Sequence, residues 1–235
     1  TFYNEELITK LSLSDRKKRR GIHNRTKDNP FLSQEYIDHL LSIYPEEWVQ
    51  RYFEGSFDVM EGQIYKNFSY DIHCLPAGVF DGRDDPPRDW DRLLGIDVGG
   101  ANNWGWEFAA VDPYGNVIFY DEIAEPGADI EQFTPRAKQM MAGLNFRERV
   151  IDYENKLAAG LLAKHGIYVT NARKAEKMTS VLALGMYLKL NQRHRFPYWH
   201  PRAGEYGSPR LFIGPRCKTL IREITQQRYR ELPDG

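Results

Sequence analysis

The chain has 235 residues, 41% hydrophobic and 28% charged, which suits one large domain or one domain with an accessory segment. No run approaches eighteen apolar residues and residues 1–10 lack a signal-peptide pattern, so neither a spanning helix nor a secretory leader is expected. The net charge of −1 conceals segregation: residues 81–160 hold 16 acidic against 8 basic side chains, and residues 173–235 hold 13 basic against 5 acidic. Such a division is either surface variation or the layout of an enzyme that gathers metal ions centrally and phosphates around its rim.

In chain order, residues 1–75 read as a mainly helical and irregular N-terminal segment with a basic run, Arg16 to Arg20. Ser33 is placed to cap a helix over 34–43, and Pro45 to open another carrying Trp48, Tyr52 and Phe53. Residues 76–89 are rich in Pro, Gly and Asp and read as a linker, with a domain over 90–235. There the pattern turns to strands: 93–98, ending in Asp97 and Gly99-Gly100; 106–111; a turn at 113–116; and 117–123. A helix over 129–144, a strand over 149–152, a helix over 155–165 closed by Gly166, and a strand over 167–170 follow. Residues 175–190 read as helical, 192–214 as a hairpin or loop, and Pro215 as the start of a last helix reaching about Glu231. This order predicts an α/β fold, a mixed central sheet flanked by helices. Cys74 and Cys217 match no metal-ligand spacing, which suits a reduced compartment.

Asp97 and Asp152 are the candidate catalytic and metal-binding pair. Each ends a strand, and the two strands are neighbours in such a sheet, so both carboxylates reach one edge. Hard ions such as Mg²⁺ or Mn²⁺ prefer oxygen ligands. A two-metal site, its ions about 3.5–4 Å apart, activates water and stabilises the leaving oxygen in phosphodiester cleavage. The plainer alternatives are a turn residue before glycines for Asp97 and a helix cap for Asp152; Asp121 and Glu122 read as surface residues. Residues 192–202 interleave cations with aromatics, as DNA-binding surfaces do, or form a hairpin stitched down by Phe196 and Trp199. Arg173, Lys174, Arg193 and Arg195 are the candidate DNA contacts. No GxSxG, HExxH or phosphate-binding glycine loop is present.

Several stretches together resemble phage terminase large subunits. Residues 22–32 (IHNRTKDNPFL), followed by Tyr52 to Phe57 and Gly62 to Tyr65, look like the region joining that family's ATPase motor to its nuclease. Leu94 to Gly99 resembles the nuclease's first acidic motif and Val150-Ile151-Asp152, followed by Gly166-Ile167, its second. Cys217 to Glu223 with Tyr229 is similar to the helix before the third. The resemblance implies an RNase H-like DNA endonuclease that cuts concatemeric double-stranded DNA by two-metal hydrolysis. It implies the small terminase subunit and the procapsid portal as partners, no membrane, and the cytoplasm of the infected host cell.

Two departures accompany it. The motor's phosphate-binding loop is absent, and the third acidic cluster is expected on a final helix after the turn containing Asp234. The chain thus reads as a piece of a longer protein lacking that helix. Rival readings are another RNase H-like recombination nuclease, an inactive DNA-clamping module, and an actin-like or sugar-kinase ATPase. The last would share Leu94 to Asn102 but lacks a second glycine phosphate turn after Asp152.

Overall fold

A computed structural model describes residues 25–44, 49, 53, 54, 62–98, 104–125, 130–152, 156–173 and 177–229. The chain divides into two compact units, residues 1–62 with 228–235, and residues 63–227. In the first, Arg25 pairs with Asp28 at 2.6 Å across a 3-10 turn, Thr26–Asp28. Helix α1, Gln34–Ile43, begins where Ser33 Oγ accepts the Tyr36 N–H at 3.2 Å, the cap expected of that serine. Most of the helix expected after Pro45 lies outside the described residues, as do Gly99-Gly100, Lys174 and Asp234.

The larger unit is built on a six-stranded mixed sheet. Its strands are β1 (Asp91–Asp97), β2 (Trp104–Val111), β3 (Val117–Glu125), β4 (Phe146–Ile151), β5 (Thr170–Asn171) and, far along the chain, β8 (Leu211–Ile213). The order across the sheet is β5-β4-β1-β2-β3-β8. Strands β1, β2 and β3 form an antiparallel meander; β4 lies parallel to β1, and β8 parallel to β3. A separate antiparallel pair joins β6 (Asn191–Arg195) to β7 (Tyr206–Ser208). The helices are α2 (Tyr70–His73), α3 (Ile130–Met141), α4 (Lys156–Lys164), α5 (Lys177–Leu188) and α6 (Lys218–Gln226).

Alternation along the strands sorts the sheet's two faces. Leu94, Ile96, Trp106, Phe108, Ile123 and Ile151 belong to one buried cluster with Phe133 and Ala137 of α3 and Leu162 of α4. Trp106 and Phe108 are wholly buried, so truncating either to alanine costs about 3–5 kcal/mol. A smaller cluster joins Leu188 at the end of α5, Leu211 and Ile213 of β8, and Cys217 and Ile224 around α6.

Three expectations change in three dimensions. The last strand of the expected set shortens to Thr170–Asn171, because Ile167 donates its N–H back to Leu162 at 2.9 Å to close α4. The expected hairpin or loop over 192–214 holds the antiparallel β6–β7 pair and, beyond it, β8, a strand too short to show in sequence and held by tertiary pairing with β3. The last helix spans Lys218–Gln226 rather than starting at Pro215. The proline-rich 76–89 stretch lies within the larger unit: Phe80 is buried against Trp90 and Trp199, and the buried Arg92 guanidinium donates to the Pro86 and Pro87 carbonyls at 2.7 and 2.8 Å.

Candidate metal centre

The parallel register pairs Gly95 with Val150 and Ile96 with Ile151, which puts Asp97 and Asp152 side by side one residue beyond. The ladder continues through them: Asp152 donates its N–H to Ile96 at 3.3 Å, and Ala172 donates to Ile151 at 2.7 Å. Residues at matched positions of parallel strands share a face. That face is opposite Ile96 and Ile151, so the apolar alternation burying those two presents Asp97 and Asp152 to the open side. Asp97 is exposed and Asp152 half-buried.

Across the antiparallel β1–β2 ladder each acid faces a glycine: Asp97 opposite Gly105, and Glu107 opposite Gly95. Among the described residues a β-carbon built on Gly95 would meet nothing within 4 Å, and one on Gly105 would meet only the Asp97 β-carbon at 4.0 Å. The glycines therefore leave the floor open. A cleft of about 1220 Å³ stands above it, lined by Asp97, Asp152, Glu107 and, from α6, Thr219 and Glu223.

Glu107 is a site residue that the motif reading passed over. Its Oε2 is buried without a hydrogen-bond partner among the described residues. Burial, reinforced by the negative charges of Glu122, Glu223 and Asp121, pushes its carboxyl up to about 8. The signal in the sequence was a lone charge in the otherwise apolar strand WGWEFAAV, two residues from the partner of Asp97.

Neither Glu122 nor Asp121 is a free surface residue, contrary to the sequence reading. Glu122 is buried and its two carboxylate oxygens accept the N–H groups of Thr219 at 2.6 Å and Leu220 at 3.0 Å. It thus satisfies the open amides at the start of α6 from a neighbouring strand. Asp121 pairs with Arg216 at 3.3 Å. The buried strand charge is structural: it docks the helix whose next turn carries Glu223.

The acidic ligands on offer are carboxylate oxygens, the donor set of a hard divalent ion. Among the described residues no three His, Cys, Asp or Glu side chains converge closely enough to hold an ion by themselves. A pair is sufficient for Mg²⁺, which keeps several waters and is commonly bound by one or two carboxylates plus substrate phosphate. The orphaned Glu107 oxygen is a further unsatisfied donor in the same cleft.

The basic candidates separate. Arg173 is exposed, just past Ala172, at the same sheet end as Asp152. Arg193 and Arg195 sit on β6 and border a different cavity with Tyr114 and Asn116 of the β2–β3 turn, at the opposite end of the sheet.

No family model and no curated protein matches the chain. Solved structures do. The large terminase of the thermophilic bacteriophage D6E is similar with a TM-score of 0.70 at 19% identity, over 89% of this chain and 47% of that one. The P22 large terminase nuclease domain gives 0.50 at 8% identity over 69% and 77% of the two chains. The large terminase nuclease of thermophilic phage G20c gives 0.50 at 17% identity over 73% and 84%. The chain spans about half the length of the D6E protein. With its meander, parallel crossovers and flanking helices, it has the RNase H-like fold of phage large terminases and their nuclease domains.

Proposed function

We propose that this chain carries the metal-dependent DNA endonuclease activity of a phage packaging terminase, with Asp97 and Asp152 as the ligands of Mg²⁺ or Mn²⁺. The observation behind this reading is the convergence of both aspartates on one open, glycine-floored cleft that Glu107 and Glu223 also line. The neighbouring structures named as terminase nucleases support the same reaction class. The segment 1–75 would then be the tail of a motor-to-nuclease connection, and double-stranded DNA the substrate. A small terminase subunit, a portal and the host cytoplasm would complete the setting.

A bound divalent ion, or a pair, would supply an activated water and offset charge on the scissile phosphodiester. The chain's own residues do the rest. Asp97 and Asp152 would hold the ion from adjacent strand ends whose spacing the ladder fixes. Gly95 and Gly105 leave room for a phosphate backbone to descend onto them. Glu107, whose carboxyl burial pushes up to about 8 in the metal-free cleft, would release that proton on joining an ion as a further oxygen ligand. Arg173, at the rim, would contact a phosphate beside the cut; Lys174 follows it in sequence.

Relaxation of supercoiled plasmid tests the reading. Nicking should require Mn²⁺ or Mg²⁺, stop with EDTA, and vanish in Asp97→Asn and Asp152→Asn, because an amide keeps the shape but loses the charge. Nicking by either variant at the wild-type rate contradicts it. So does tight ATP binding, which an actin-like enzyme would show.

A further inference from the structure

The far end of the sheet carries a built surface that the cleavage reaction does not use. Six residue steps along β1 and β2 separate the Asp97–Gly105 pair from the Asp91–Val111 pair, a distance of roughly 20 Å at strand rise. Beyond that end the β2–β3 turn and the β6 strand enclose a pocket of about 380 Å³ with Arg193, Arg195 and Arg210 on its walls. Among the described residues no carboxylate pairs with any of these three guanidiniums. Tyr114 and Tyr198 also line it, 70% and 64% exposed, their rings edge to face at 6.5 Å rather than stacked on each other.

The surface is held rigid from beneath. Buried Asp112 accepts the N–H groups of Tyr114 and Asn116 at 2.8 and 2.9 Å and that of the Trp199 indole at 3.1 Å. One carboxylate thereby fixes both the turn bearing Tyr114 and the loop bearing Tyr198. Arg210 donates to the Tyr114 carbonyl at 3.1 Å.

We propose that this end of the molecule is a second nucleic-acid surface that takes an unpaired strand, stacking bases on Tyr114 and Tyr198 and seating phosphates among Arg193, Arg195 and Arg210. Exposed rings beside guanidiniums that no carboxylate neutralises among the described residues match a nucleotide, which offers a π-face and a negative charge within a few ångströms. Arg195 donates to the Tyr206 hydroxyl at 2.8 Å and Arg210 to a carbonyl, which leaves their charge uncompensated. A duplex keeps its base faces within its own stack and could use only the arginines. An acidic peptide would meet the arginines and leave the rings uncovered. The site stands apart from the metal centre and does not depend on the nuclease reading.

Anisotropy of fluorescein-labelled oligo(dT), about twelve nucleotides long, tests it on the full chain in EDTA. Oligo(dT) should bind more tightly than a duplex of equal length. Tyr114→Ala and Tyr198→Ala should each weaken it by about fivefold to a hundredfold, while Tyr198→Phe retains it. Arg193→Ala should weaken it and reduce the salt slope by about one unit. Oligo(dT) affinity unchanged in both alanine variants overturns the proposal, as does a duplex or polyglutamate binding more tightly than oligo(dT).

Discussion

Glu107 is ionised at neutral pH in an unfolded chain and protonated in the fold, because burial and neighbouring acids lift its carboxyl from the ordinary 4.5 to about 8. Between those values the native state binds the extra proton, so stability falls as pH rises, by about 1.4 kcal/mol per unit for one group. In EDTA, urea unfolding from pH 5 to 8 should show a shallower decline for Glu107→Gln than for wild type; parallel declines would contradict the assignment. Glu122 plays a different part, its two carboxyl oxygens accepting helix amides. Glu122→Ala leaves the Thr219 and Leu220 N–H groups without their acceptor and should cost about 1–3 kcal/mol in urea unfolding. The neighbouring placement of Asp97 and Asp152 was legible in sequence because each ends an apolar run. Glu122 was not, since the amides that claim it lie 97 and 98 residues away.

At their cleft ends β1 and β2 divide their labour by parity: Ile96, Trp106 and Phe108 build the core, and Gly95, Asp97, Gly105 and Glu107 face the other way. Gly95 sits on the open face with clear space where a β-carbon would go. Gly95→Ala should therefore leave stability unchanged or raise it by about 0.4–1 kcal/mol. Gly95→Leu should keep a melting temperature close to wild type yet block the cleft and abolish nicking. A Gly95→Leu protein that nicks normally would show that substrate does not enter over this floor. The meander, its turn and the helices α3 and α4 were readable from periodicity, because local apolar spacing decides them. Strand β8 was not: three residues carry no period, and only pairing with β3 makes them a strand.

At the scale of the whole molecule, the acidic middle of the sequence becomes a cleft at one end of the sheet, and part of the basic C-terminal stretch becomes a surface at the other. Duplex DNA engaged at the cleft should bind through phosphates and lose affinity by orders of magnitude between about 50 and 200 mM salt. Arg173→Ala should lower that salt slope by about one unit without changing sequence preference; an unchanged slope would place the duplex elsewhere. Both ends depend on strand register, which brings together two aspartates 55 positions apart in sequence. Calorimetric Mn²⁺ titration of wild type, Asp97→Asn, Asp152→Asn and the double variant tests that pairing most directly. If the two carboxylates share an ion, either single substitution abolishes binding as fully as both together. A single variant that binds Mn²⁺ like wild type, or losses that simply add, would contradict a shared site.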